Sequence, residues 1–365
     1  MKTLLKYEFY KLWKRKVIPI SLLVMVLFLT LHSHYNTTSS YWQFTTKAEQ
    51  IRTPLNGIID LQFKTKVDDL KKQTIKENTL EDYEIKMIFD EPYQASVYYE
   101  TFNMIHDAIT SMPSSPLKNR YLSVSNPEDI QYHAQGASWA NTIYYLDLYS
   151  YYCIFFSIII VISTIFSHDR EVHVEDLQAT CKEARHNGIK AKLLCSYMTA
   201  TCLWLIFLFI PLLMMLYYHG SEGLSATLSL YYPYNNSGYS LNSSTMLCLL
   251  FILSFCGIMT FTSLVLFITR KLPSMLKAGL ASLSLFAIPI IVNDIPILSI
   301  LTSLTPSYTT RLLSGVEQVH GIQIGPMALL DYELIILWNI FLFILMNILI
   351  CKSYKKGGYS HVRTV

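Results

Sequence analysis

The sequence has few charged residues. Asp, Glu, Lys and Arg make up only 15% of the 365 residues, whereas they make up about a quarter of an ordinary soluble domain. Hydrophobic residues make up 52%, so the composition predicts a protein that crosses a membrane several times. The net charge is only +3 and no basic cluster is interleaved with aromatic residues, which excludes nucleic acid as an expected partner.

The sequence also lacks the common catalytic motifs. It contains no G-x-x-x-x-G-K-[ST] phosphate loop, no H-E-x-x-H zinc motif and no G-x-S-x-G nucleophile elbow. We therefore do not expect the chain to hydrolyse ATP, to be an enzyme or to bind a cofactor of its own. All seven cysteines lie in predicted spans or on the predicted inner side of the membrane, so disulfides are not expected.

Long apolar runs are the main feature that is present. A helix of about 18 or more apolar residues crosses the roughly 30 Å of hydrocarbon in a bilayer. Six such runs predict transmembrane spans one to six, at residues 17–34, 144–166, 193–217, 245–269, 273–293 and 332–351. The basic and then apolar start is also typical of a signal peptide, but no small-x-small cleavage site follows it, so we expect span one to be retained.

The distribution of Lys and Arg predicts the orientation. The two short connections at 218–244 and 294–331 contain a single Lys or Arg, which is Arg311. Positive residues are instead frequent in the segments 1–16, 167–192, 270–272 and 352–365. Because positive residues on short loops favour the cytoplasmic side, the pattern predicts a multi-pass protein of the cell membrane with both termini in the cytoplasm.

Residues 1–16 predict an interfacial amphipathic helix. Leu5, Phe9, Leu12 and Trp13 share one arc of a helix, and lysines and an arginine face away from it. Such a helix is expected to lie along the inner leaflet. The alternative is a basic flank that only anchors the orientation of span one.

The segment 35–143 is long enough to form a domain of its own on the outer side. It shows no strand alternation, so it predicts a helical extracytoplasmic domain. The sequence "MPSSP", 112–116, predicts a helix break, and Asn126 followed by Pro127 predicts a helix start that leads almost directly into span two. The expected fold is an all-α integral membrane protein with six transmembrane helices, an amino-terminal interfacial helix and this outer domain.

The stretch 167–192 stands out because it has ten charged side chains among 26 residues, between two apolar spans. Val174, Leu177 and Cys181 fall on one helical stripe, and Asn187 with Gly188 predicts the end of that helix. A short helix parallel to the membrane is suited to docking in a groove of a cytoplasmic partner.

The same stretch permits a second interpretation as a metal or acid–base site. Its acidic and histidine side chains are His168, Asp169, Glu171, His173, Glu175 and Asp176. Three of them would bind a cation if a helix brought them together, whereas a solvated charged face is the commoner outcome for such a pattern.

The stretch resembles the intracellular loop of the ABC type 2 exporter permeases. The pattern of that family is matched by Glu171, Leu177, Thr180, Ala184 with Arg185, Ile189 and Lys192. The layout is similar as well, with an interfacial helix, six spans and an outer re-entrant hairpin at 294–331, where Ser303 to Pro306 echo a Leu-x-Pro turn. The resemblance covers residues 1–32 and 144–352 and leaves out the outer domain.

The resemblance implies a function and partners. Two permease subunits, identical or different, would pair in the bilayer above two separate ABC ATPase subunits that bind the ATP, and a peptide-like or hydrophobic substrate would move outward. The loop helix would be the coupling helix, with Glu171, Glu175, Leu177, Thr180, Arg185 and Lys192 as the candidates for contact with the ATPase.

Two other functions stay open, and so does the substrate path. The chain is alternatively a sensor or immunity subunit that binds a peptide or antibiotic through its outer domain without transport, or a membrane-embedded metal-dependent enzyme. Asp147 and Asp294, near the outer ends of spans, are possible substrate-path residues, although an acidic group there also suits the headgroup region.

Overall fold

The structure is a computed structural model that describes residues 2–14, 17–38, 40–60, 62–77, 82–171, 182–272, 274–292, 295, 302–317 and 320–360. It is mostly α-helical. The helices of the described residues are α1 Lys2–Lys14, α2 Val17–Thr38, α3 Ser40–Arg52, α4 Phe63–Glu77, α5 Asp82–Ser111, α6 Pro116–Val124, α7 Gly136–Glu171, α8 Lys182–His219, α9 Ser243–Lys271, α10 Met275–Val292, α11 Pro306–Thr309, α12 Leu312–Val316 and α13 Asp331–Ser360. The strands are β1 Gly57–Ile58, β2 Gln131–Tyr132, β3 Gly321–Ile324 and β4 Met327–Leu330.

Apolar helices make this a multi-pass membrane protein. Of the described helices, five are long and apolar enough to cross a membrane: α7, the part Asn187–His219 of α8, α9, α10 and the part Asp331–Ser353 of α13. Helices α1 and α2 pass the same test only as a pair, which is bent by 69°. The total of six spans, and a position of α1 along the bilayer, therefore stay predictions.

Helix α7 lies at the centre of the bundle. It packs against α2, α8, α9 and α10, and 72% of its most apolar window is buried, compared with 11% for α13. Phe155 on α7 meets Phe261 of α9 and Phe286 of α10 with ring centroids 4.3 and 5.0 Å away. The less covered helices expose apolar side chains such as Leu337 and Ile344 of α13, as lipid-facing helices do.

A π-turn interrupts α7 at Leu146–Ser150. The turn adds a residue to the local helical repeat and so changes which side chains face the bundle. Asp147 and Ser150 are both buried in this turn. The π-turn thus places the Asp147 carboxylate and the Ser150 hydroxyl group inside the bundle.

The segment between the first two spans is a small helical unit formed by α3 to α6. Val67, Ile88 and Phe89 are fully or almost fully buried between its helices. The predicted break at "MPSSP" is confirmed, since α5 ends at Ser111 and α6 begins at Pro116. Ser115 caps α6 by accepting a hydrogen bond from the backbone of Lys118 at 3.1 Å.

The approach to span two differs from the sequence prediction. Asn126 does act as an N-cap, for Glu128, but the turn that follows is only the 3-10 helix Pro127–Asp129. The chain then pairs as β2 with β1 in an antiparallel register, and α7 begins only at Gly136. The prediction of a near-continuous helix was wrong because the backbone here is extended by pairing, with Gln131 also donating to Thr227 Oγ1 at 2.9 Å.

A second β-pair lies before the last span. Strands β3 and β4 form an antiparallel hairpin that turns at Gly325, which has a φ of +61°. The short helices α11 and α12 precede it. The sequence predicted a re-entrant outer region at 294–331 but no strands there.

Candidate functional site

The last turn of α7 carries a buried carboxylate that lies between two lysines. Asp169 Oδ1 lies 2.6 Å from Lys11 Nζ, and its Oδ2 lies 2.6 Å from Lys192 Nζ. The side chains of Asp169 and Lys192 are both 1% exposed. Lys11 also lies 3.3 Å from Glu8 on its own helix, so two cations meet two carboxylates. A buried charge of either sign needs such partners because it has lost its water.

The amphipathic character of α1 explains how Lys11 reaches this cluster. Leu12 is buried, and Leu5 and Phe9 pack against the hydrophobic core, which holds α1 against α8. Trp13, predicted on the same arc, is 65% exposed. The long aliphatic stem of Lys11 lets its ammonium group extend past these apolar contacts to Asp169.

The two residues after Asp169 bind the ends of two further helices. Arg170 donates hydrogen bonds to the carbonyls of Arg270 and Leu272 at the carboxyl end of α9, the latter at 3.1 Å. Glu171 accepts a hydrogen bond from the backbone of Met275, the first residue of α10, at 2.7 Å. A cation at a helix carboxyl end and an anion at an amino end both complement the helix dipole and satisfy unpaired backbone groups.

We call Glu8, Lys11, Asp169, Arg170, Glu171 and Lys192 the Asp169 junction. Three consecutive residues of α7 here fasten it to α1, α8, α9 and α10. The segment 172–181 leaves the junction directly after Glu171. The junction thus joins five helices by charged contacts.

The structure describes only part of the predicted coupling stretch. Glu171 is exposed and Lys192 is buried against Asp169, and only the backbone of Arg185 is described, within α8. Glu175, Leu177 and Thr180 lie outside the described residues.

The predicted helix end at Asn187 and Gly188 was wrong. Helix α8 continues through both residues, with Gly188 and Ile189 buried. A glycine in a helix costs only about 1 kcal/mol relative to alanine, so the packing of this part of α8 outweighs it.

The positions of the described side chains do not support the metal interpretation. Within that part of the chain, no three His, Cys, Asp or Glu side chains lie close enough together to hold a metal ion. Asp169 contacts two lysines and Glu171 contacts the backbone of Met275. His173, Glu175 and Asp176 fall outside the described residues.

Asp147, a predicted substrate-path residue, binds the start of α12. Its Oδ1 accepts a hydrogen bond from the backbone of Leu312 at 2.6 Å, and its Oδ2 accepts one from Leu313 at 3.4 Å. Arg311 Nε lies 3.6 Å from the same carboxylate, which is 1% exposed. Arg311, the single Lys or Arg of the two short predicted outer connections, thus pairs with Asp147. Asp294, the other candidate, lies outside the described residues.

The sequence did not predict which cations pair with Asp147 and Asp169 of α7. Asp169 was grouped with its neighbours as a metal candidate, and Lys11 was counted only for orientation. The available signal was an acidic residue immediately after an apolar span, since such a group needs a cation nearby. The identity of the cation, 158 residues away, is fixed by tertiary packing.

No protein-family model matches the chain, and neither a curated protein nor a solved structure matches it significantly. The family resemblance therefore rests on the residues and the topology described above.

Proposed function

We propose that the chain is the permease subunit of an ABC exporter in the cytoplasmic membrane. Two permease subunits, identical or different, pair in the bilayer, and separate ABC ATPase subunits bind ATP beneath them. The substrate is peptide-like or hydrophobic and moves outward. Both termini and the segment 167–192 face the cytoplasm in this proposal.

The Asp169 junction is the observation that supports the proposal. A permease without a nucleotide motif needs a place where an outside force enters and spreads to several spans. The junction links α7 to α1, α8, α9 and α10 through charged contacts that are short and partly buried. Rigid helices joined in this way transmit a displacement better than flexible loops.

Asp147 attaches α7 to a second part of the chain. Asp147 holds the amino end of α12 and pairs with Arg311, so α7 is attached near both ends of its apolar stretch. A movement of the Asp169 junction would reach the predicted outer hairpin through a single helix. Coupling of this type is what alternating access by an exporter requires.

Purification of the full-length chain with its native partners tests the proposal. We expect a P-loop ATPase in the complex and ATP hydrolysis after reconstitution in vesicles. Glu171→Lys and Arg185→Glu should each weaken ATPase binding by about tenfold, since loss of an interfacial charge pair costs on the order of 1.4 kcal/mol. Glu171→Gln retains an acceptor for the Met275 backbone and separates local folding from the charge effect.

Glu128→Lys is the matched control, because Glu128 is an exposed acidic residue of the predicted outer domain. It should leave ATPase binding unchanged. A complex without an ATPase would contradict the permease proposal. Wild-type ATPase binding in both charge reversals would contradict the coupling role of 167–192.

A further inference from the structure

A polar cavity lies in the helical unit that precedes span two, where the first turn of α7 meets α3. Its volume is about 200 Å³. Its lining includes Glu49, His133, Gln135 and Glu222. At about 30 Å³ per water molecule, it holds several waters or one small polar group.

The lining of the cavity is acidic. It includes the carboxylates of Glu49 and Glu222 and contains no Lys or Arg. Burial lowers the pKa of His133, with Glu222 opposing the shift, so its ring adds no positive charge at neutral pH. The cavity thus favours a positively charged occupant.

Glu49 is buried, and among the described residues it has no ion-pair partner of its own. It is 6% exposed, and its Oε1 accepts a hydrogen bond from Ser138 Oγ on α7. The nearest cation, Arg52, pairs with Glu91, and its Nε donates to the carbonyl of Ala48 at 3.2 Å. One arginine therefore serves two carboxylates, of which Glu49 is buried and Glu91 is partly exposed. The set Glu49, Glu91 and Arg52 carries an excess negative charge when all three are ionised.

The wall of the cavity includes a side chain with an unpaired hydrogen-bond acceptor, Gln135. Gln135 Oε1 is buried and has no hydrogen-bond partner in the described structure. Buried acceptors without a partner are uncommon because each costs about 1–3 kcal/mol. An occupant that donates hydrogen bonds would satisfy this atom and the free carboxylate capacity of Glu49 together.

We propose that this cavity binds the primary ammonium group of a ligand, with the Glu49 carboxylate as its counter-ion and Gln135 Oε1 as a hydrogen-bond acceptor. An ammonium group has three donors and no acceptor, which matches a lining that offers acceptors and negative charge. The volume is below the 300–1,000 Å³ of a drug-sized pocket, so the cavity takes only the end of a larger molecule. The group comes from a peptide amino terminus or from a small free amine.

Binding should weaken in acid. Burial raises the pKa of Glu49 to about 7, with Ser138 and Arg52 lowering it and Glu91 raising it. The other titratable groups at the cavity are His133 and Glu222. Protonation of Glu49 removes the counter-ion, so the affinity for an ammonium group falls as the pH drops below about 7.

Calorimetric titration of the full-length chain in detergent at neutral pH tests the site with ethylammonium, triglycinamide and two controls. Tetramethylammonium has the same charge but no donor, and N-acetyl-triglycinamide has no ammonium group. We expect the first two probes to bind and the controls not to bind. Tighter binding of triglycinamide assigns the site to peptide amino termini, and equal or tighter binding of ethylammonium assigns it to free amines.

Variants give the second part of the test. Glu49→Gln should weaken binding by about tenfold to a hundredfold, the loss expected for one charge-assisted hydrogen bond, and Gln135→Leu by less. Glu128→Gln, at an exposed carboxylate of the same unit, is the matched control and should bind as the wild type does. Unchanged binding in folded Glu49→Gln, or equal binding of tetramethylammonium, would overturn the proposal. Neither result depends on the ATPase.

Discussion

Two buried carboxylates near opposite ends of α7 are neutralised in different ways. Asp169, in the last turn, lies 2.6 Å from each of two lysines. Glu49, beside the first turn, has a hydroxyl group as its direct partner and shares Arg52 with Glu91. The first carboxylate has all of its charge balanced by the chain. The charge of Glu49 is balanced only in part, so Glu49 can pair with a cation from outside the chain. Asp169 therefore links helices, whereas Glu49 belongs to the proposed binding site.

Of the substitutions at these two carboxylates, Asp169→Asn is expected to change the stability of the fold most. The change leaves the buried Lys192 without its counter-ion and Lys11 with only Glu8, and removal of one partner from a buried ion pair costs about 3–5 kcal/mol. The melting temperature in detergent should fall sharply. Asp60→Asn removes one partner of an exposed ion pair with Lys66 and should leave the melting temperature unchanged. A small effect of Asp169→Asn would mean that water balances the lysines.

Glu49→Gln should increase the stability of the fold, whereas Asp169→Asn should decrease it. Because the pKa of Glu49 in the folded chain is about 7, above its ordinary 4.5, the folded chain binds the proton more tightly than the unfolded chain does. Wild-type stability therefore decreases as the pH rises from about 4.5 to 7. The variant does not titrate, so without a ligand it should be more stable at pH 8 by up to about 3 kcal/mol and equal at pH 4. Thermal unfolding across this pH range measures the difference, and a destabilised variant at pH 8 would contradict it.

Ser138→Ala should have the smallest effect. It removes the hydrogen bond to Glu49, which contributes most when the carboxylate is ionised, so the expected loss is about 1.5 kcal/mol at pH 8 and less at pH 4. The loss should be smaller in the Glu49→Gln background, because the Gln amide oxygen still accepts from Ser138 Oγ but carries no charge. Chemical unfolding of the single and double variants measures this coupling. An equal loss in both backgrounds would assign Ser138 to packing alone.

The apolar helices were predictable because their signal is local. Runs such as 245–269 determine a span by length and hydropathy alone, and the helix break at Pro116 follows from backbone chemistry. Asn126 was identified correctly as a cap. The length of the helix after it was not, because the pairing of β1 with β2 is a contact between residues more than 70 positions apart.

The candidate sites were predictable only in part. Glu171 was singled out through the family resemblance, and in the structure its carboxylate accepts a hydrogen bond from the backbone of Met275, the first residue of α10. The contact of Lys11 with Asp169 depends on how α1 packs, and the contact of Glu49 with Ser138 depends on how α3 meets α7. No periodicity in the sequence encodes which charge lies beside which, so the contrast between the two carboxylates emerges only in three dimensions.

The length of α7 has a mechanical consequence. Its 36 residues extend over about 54 Å, nearly twice the hydrocarbon thickness of about 30 Å. Ser138 in its first turn contacts Glu49, and Asp169 in its last turn contacts the two lysines. One continuous helix thus connects these two contacts. We expect a ligand that displaces its first turn to shift Asp169 as well, so that Lys11 and Lys192 would respond to a molecule that they do not contact.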